Sequence, residues 1–92
     1  MMFRYNKKLP IPYDRQGYIY FYAKNFKRMP QEERAALEQV CRKAGHEDYK
    51  ALLAYVTGSA DAVAVCREHY LDERRLFRIL RAFYLEMDRL LG

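Results

Sequence analysis

The segment ERRLFRILRAFYLEMDRLL, residues 73–91, constrains this chain more than any other. Leu76, Ile79, Leu80, Phe83, Met87, Leu90 and Leu91 recur at the spacing of one helical face and at no strand-like alternation. A helix of that length runs about 28 Å at 1.5 Å per residue. Its apolar stripe must be covered by other elements of the chain. Only three prolines and four glycines occur in 92 residues, so little chain is left for loops. With 51% hydrophobic and 32% charged residues, the composition suits a single globular domain and excludes a disordered chain.

The other segments supply that cover. Pro30 suits a helix's first turn, with Glu32 and Glu33 near the positive end of the helix dipole. Leu37, Val40, Cys41 and Ala44 form that helix's stripe, and Gly45 is the expected stop. A helix from about residue 46 to 56 turns Tyr49, Leu52, Leu53 and Val56 inward. TGS at 57–59 breaks the chain, and Ser59 can cap a helix over 60–69 with Ala62, Val65, Cys66 and His69 on one face. Asp72 can cap the last helix.

The start of the chain is harder to read. Residues 1–13 read as an extended basic arm, because Pro10 and Pro12 lack backbone donors and bias their neighbours away from helix, while Phe3, Tyr5, Leu9 and Ile11 can anchor it by packing. Asp14 can cap a helix reaching about Arg28. Within it YIYFYA has strand-forming residues. Yet Ile19, Tyr22, Ala23 and Phe26 keep helical spacing. A strand there would need a partner that only the arm offers, so helix is the preferred reading. The expected architecture is all-α: a compact bundle of about five helices, one domain over residues 1–92, with the arm at its front.

Charge adds a functional lead. The net charge is +5. Residues 1–28 hold seven Lys or Arg against one Asp, while the rest holds ten against eleven acids. An excess confined to one third of the chain favours a polyanionic partner. No apolar run is long enough to cross a membrane, and MMFRYNKK lacks the apolar region of a secretory signal. No helix pairs a broad apolar face with a continuous lysine row, so a membrane partner is not expected. The expected location is cytoplasmic, which suits two unpaired cysteines, Cys41 and Cys66.

The segment DAVAVCREHYLDERRLFRILR resembles the helix-turn-helix DNA-binding motif. Val65 and Cys66 fill the inward positions of its first helix, and Leu71 the apolar turn position. Asp72 stands at the cap, and Leu76 and Ile79 take the inward positions of the second helix. Tyr70 occupies the place of the usual turn glycine, and His69 that of an aliphatic residue. The preceding MPQEERAALEQVCRKAG is similar to the opening of sigma-factor region 4 domains, and the whole chain is similar to short uncharacterised proteins of bacterial mobile elements.

The resemblance implies a unit over 60–91 in which Arg74, Arg75 and Arg78 meet double-stranded DNA, and the exposed face of the same helix adds Arg81. Lys7, Lys8, Lys24, Lys27 and Arg28 would add phosphate contacts. Read without the resemblance, the same arginines are a solvated face paired to Glu73, Glu86 and Asp88. YLEMDRLLG offers Leu85, Met87, Leu90 and Leu91 to the core or to a homodimer contact.

Other constellations carry less. Cys41, His46, Cys66 and His69 make a nominal zinc set, but a gap spanning the helix stop at Gly45 is not a common ligand spacing. Both cysteines fall on apolar stripes, where small thiols pack well. No oriented nucleophile, carboxylate pair or glycine-rich loop suggests catalysis, so a non-enzyme without cofactor is expected. Tyr5, Tyr13, Tyr18, Tyr20 and Tyr22 gather near the basic residues. They suit a protein-docking surface, stacking on bases, or simple half-burial.

Overall fold

The computed structural model describes residues 3–92, so the first two residues of the arm lie outside the described residues. Among these the structure is all-helical, with no strand. The helices are α1 (Tyr13–Lys24), α2 (Gln31–Gly45), α3 (Tyr49–Thr57), α4 (Ala62–His69) and α5 (Glu73–Leu91), with 3-10 turns at Phe26–Arg28 and His46–Asp48.

Helix α5 is the spine. Its length, about 28 Å, nearly matches the longest dimension of the molecule, 33 Å. Leu76, Ile79, Phe83, Tyr84 and Met87 are buried along it, with Phe83 1% exposed. Helix α2 lies against both α5 and α3, burying the expected stripe of Leu37, Val40, Cys41 and Ala44. Leu52 and Val56 of α3 and Val65 of α4 complete the core. Burying a side chain such as Phe83 contributes about 1.5–3 kcal/mol. Beyond Met87 the helix outruns its cover: Leu90 and Leu91 are exposed, as is Leu85 on the outer side.

Helix α1 settles the ambiguity of YIYFYA in favour of helix. It buries Gln16, Ile19 and Ala23 at helical spacing, while Tyr18 and Phe21 face outward. Aromatic residues therefore stand on both sides, which is why the sequence pattern looked strand-like. The ends of the helix differ from the expected ones. Pro12 rather than Asp14 occupies the N-cap, so no side chain caps the helix. The α-helix stops at Lys24, and residues 26–28 tighten to a 3-10 turn.

Among the described residues, 6–11 form a folded strap rather than an extended arm, anchored by two of the apolar side chains expected to pack. Leu9 and Ile11 are buried at 6% and 2% exposure. A turn at Asn6 is closed by its own Oδ1, which accepts from the Lys8 N–H at 2.9 Å, and by its carbonyl, which accepts from Leu9 N–H at 3.2 Å. Gln16 ties the strap down. Its Oε1 accepts from the Asn6 N–H, and its Nε2 donates to the carbonyls of Asn6 and Ile11, all at 2.9 Å. These bonds answer the donors that the prolines remove.

The helix ends also differ from expectation. His46, not Gly45, takes the positive φ of 52° after α2. Gly45 matters by proximity: a Cβ there would stand 3.4 Å from Leu52 Cδ2, where α3 closes on α2. Residues 46–48 form the 3-10 turn, and α3 proper begins at Tyr49. Helix α4 begins at Ala62 and is capped by Asp61, whose Oδ1 accepts from Ala64 N–H at 2.9 Å; Ser59 is not its cap. Gly58 lets the chain leave α3, since a Cβ would sit 2.6 Å from the Ala54 carbonyl oxygen.

Candidate nucleic-acid interface

The link between α4 and α5 is three residues long. Tyr70 adopts left-handed φ 59° and ψ 47° and is 94% exposed. Its N–H and that of Leu71 both donate to the Cys66 carbonyl. Asp72 Oδ1 then accepts from Arg75 N–H at 2.8 Å and starts α5. The left-handed conformation costs a non-glycine residue about 1–2 kcal/mol. The exposed ring meets no steric opposition, and the carbonyl-capping bonds and the aspartate cap offset that cost.

The four α5 arginines part company. Arg74 and Arg78 are exposed and make no hydrogen bond or ion pair among the described residues. Arg81 is exposed on the same helical face, and its Nη1 donates to the Lys8 carbonyl at 3.3 Å. Arg75 turns to the body instead: its Nε is 2.5 Å from Asp48 Oδ2 and its Nη2 3.0 Å from Glu47 Oε1. It joins α5 to the 3-10 turn before α3. Carboxylates neutralise it, so its place among the DNA contacts is withdrawn.

The basic residues of the N-terminal third divide in the same way. Lys7 and Lys8 are exposed on the strap turn, and the Arg81 bond brings that turn to the α5 row. Lys27 and Arg28 are exposed on the 3-10 turn between α1 and α2. Lys24 turns into the body instead of standing free on the surface. Its Nζ donates to the carbonyls of Tyr55 at 3.0 Å and Gly58 at 2.7 Å, satisfying the end of α3. The Tyr20 and Tyr55 rings stand 5.1 and 5.8 Å away. Burial pushes its pKa below the ordinary lysine value.

Acids near the row are few. Asp72 is occupied as a cap, and Glu73 is exposed beside Arg74. Glu86 and Asp88 serve elsewhere. Glu86 pairs with Arg89 at 2.6 Å and Lys43 at 3.1 Å, and Asp88 with Arg15 at 2.5 Å. The helix's own carboxylates therefore consume none of the arginine row; Arg75 alone is held, by Glu47 and Asp48 of the 3-10 turn.

Cys41 and Cys66 are buried thiols, and burial raises both pKa values, Cys41 to about 12. His46 is exposed and His69 half-buried. No three His, Cys, Asp or Glu side chains are grouped to hold a metal among the described residues. The tyrosines fall into two sets. Tyr5, Tyr13 and Tyr18 are exposed, whereas Tyr20 and Tyr22 are half-buried. Phe3 gathers the rings of Tyr13, Tyr20 and Phe21 at 5.5–6.3 Å, making an aromatic patch where the strap meets α1.

No family model, curated protein or solved structure matches the chain.

Proposed function

We propose that this is a small, non-catalytic DNA-binding protein, using α4, the Tyr70 turn and α5 as a helix-turn-helix-like unit. Arg74 and Arg78 contact base edges and phosphates of a duplex, and Arg81, Lys7 and Lys8 hold the flanking phosphates. Lys27 and Arg28 supply further phosphate contacts at the other end of the basic N-terminal third. The observation that carries the reading is the Arg81–Lys8 bond, which adds two strap lysines to an exposed arginine face. The left-handed Tyr70 supports it too, because the turn keeps a glycine-like conformation at the position where the motif usually has glycine. A regulatory role, in transcription or on a mobile element, rests on the resemblance alone. Affinity for a mixed-sequence duplex at low salt tests the proposal: Arg74→Ala with Arg78→Ala should weaken it about tenfold or more. Equal affinity would overturn the assignment of that face.

A second reading, a protein-docking module, is favoured by a different observation. Tyr13 and Phe21, 65% and 59% exposed, stand beside Phe3, and Tyr18, 56% exposed, stacks on Tyr22 along the same helix. Rigid aromatic side chains of this kind are enriched at protein interfaces. The same low-salt titration separates the two, since a docking module would leave duplex DNA unbound.

A further inference from the structure

A cleft of about 830 Å³ opens between the strap, α1, the residues after α3, and α5. Its volume lies within the range of small-molecule sites, about 300–1,000 Å³. The floor is apolar, with Ala23, Val56, Leu80 and Phe83, and Phe77 and Tyr84 form an aromatic wall. Arg4, Lys7, Lys8 and Lys24 reach it, against one acid, Asp61, whose carboxylate caps α4.

The charge on Lys24 points to a ligand. An ammonium has three donors. Here two are taken by neutral carbonyls, the nearby groups are tyrosine rings, and no carboxylate pairs with it among the described residues. A half-buried cation without a counter-charge is costly, and its remaining donor is available. The Tyr20 hydroxyl, also at this wall, is buried with no hydrogen-bond partner. Arg4 faces Tyr55 closely enough to lower the pKa of its phenol, against the larger effect of burial, so positive charge approaches this ring from a second side.

We infer that the cleft binds a small organic anion with a flat apolar body, of the class of an aromatic carboxylate. The carboxylate accepts from the third Lys24 donor and from Arg4, while the body lies on Phe77, Leu80 and Tyr84. This site borders Lys7 and Lys8 of the proposed DNA face but involves neither Arg74 nor Arg78, and it is tested without DNA, so its failure and that of the proposed function are distinguishable.

The experiment is calorimetric titration of the full chain with 2-naphthoate and with neutral 2-naphthamide, with backbone amide shifts recorded for both. The expected result is saturable 1:1 binding of 2-naphthoate, about tenfold tighter than the amide, a difference of about 1.4 kcal/mol. Shifts should centre on Tyr20, Lys24, Phe77 and Tyr84. Lys24→Met should reduce the preference for the acid severalfold. Should that variant not fold, Arg4→Gln, on the exposed strap, should reduce the preference severalfold. Absent saturation, equal affinity for acid and amide, shifts centred elsewhere, or an unchanged preference in a folded Lys24→Met or in Arg4→Gln would each overturn the inference.

Discussion

The Arg81 guanidinium donates to the Lys8 carbonyl at 3.3 Å, across 73 positions of sequence. The bond joins the basic strap to the exposed face of α5. Two groups of cations that could have lain apart thereby border one surface. Such an arrangement raises local attraction for phosphates more than either group alone.

The strap depends on Gln16. Gln16→Leu keeps the volume but leaves the Asn6 and Ile11 carbonyls and the Asn6 N–H without their partner. We expect a loss of about 2–3 kcal/mol in denaturant unfolding, together with faster proteolysis before residue 12. An unchanged midpoint and cleavage rate would show that the strap is held by Leu9 and Ile11 alone.

Arg75 and Arg74 should separate stability from binding. Arg75→Ala breaks contacts to Asp48 and Glu47, but the Arg75 side chain is 42% exposed, so solvent screening limits the loss to about 1 kcal/mol. That corresponds to roughly 4–8 °C in thermal midpoint for a domain of this size. Arg74→Ala should leave the midpoint within about 1–2 °C and weaken duplex binding. The reverse pattern would mean that the two roles are exchanged.

Two residues with positive φ are candidates for stabilisation by glycine. Tyr70→Gly relieves an ordinary left-handed residue and should gain about 0.5–1 kcal/mol. His46, at φ 52° and ψ −121°, lies in a region that suits glycine far better, and His46→Gly should gain more, about 1–2 kcal/mol. Urea unfolding of both variants decides it; a destabilised His46→Gly would mean that the imidazole makes a contact worth more than the strain.

Acid should loosen the α2–α5 junction through Glu86. Hydrogen bonds from Arg89 and then Lys43 hold its pKa at about 2, below the ordinary 4.5. The folded value is the lower one, so its stabilisation is full above about pH 4.5 and is lost as the pH falls towards 2. Glu86→Gln should flatten the decline of thermal midpoint across that window. The same acid slope in both proteins would remove Glu86 from the account.

What the sequence disclosed follows from the range of the forces involved. The α2 and α5 stripes were legible because burial repeats every turn and needs no knowledge of the partner. Asp72 was legible as a cap because its partner is three residues away. Lys24 was not, since the carbonyls it satisfies lie 31 and 34 positions on. Gln16 gave no signal, because a polar residue becomes buried only when a distant turn comes to meet it. Arg75 resembled its neighbours in the row until the 3-10 turn carrying Glu47 and Asp48 placed two carboxylates beside it. The cleft joins four segments and has no local pattern.

The salt dependence of duplex binding decides whether the strap and α5 grip DNA together. Log affinity should fall linearly with log salt in the parent protein. Lys7→Gln with Lys8→Gln should reduce that slope by about 1.8, the release of two phosphate counterions at about 0.9 each. Binding with an unchanged slope would detach the strap from the interface, and no binding to duplex DNA at low salt would contradict the account as a whole.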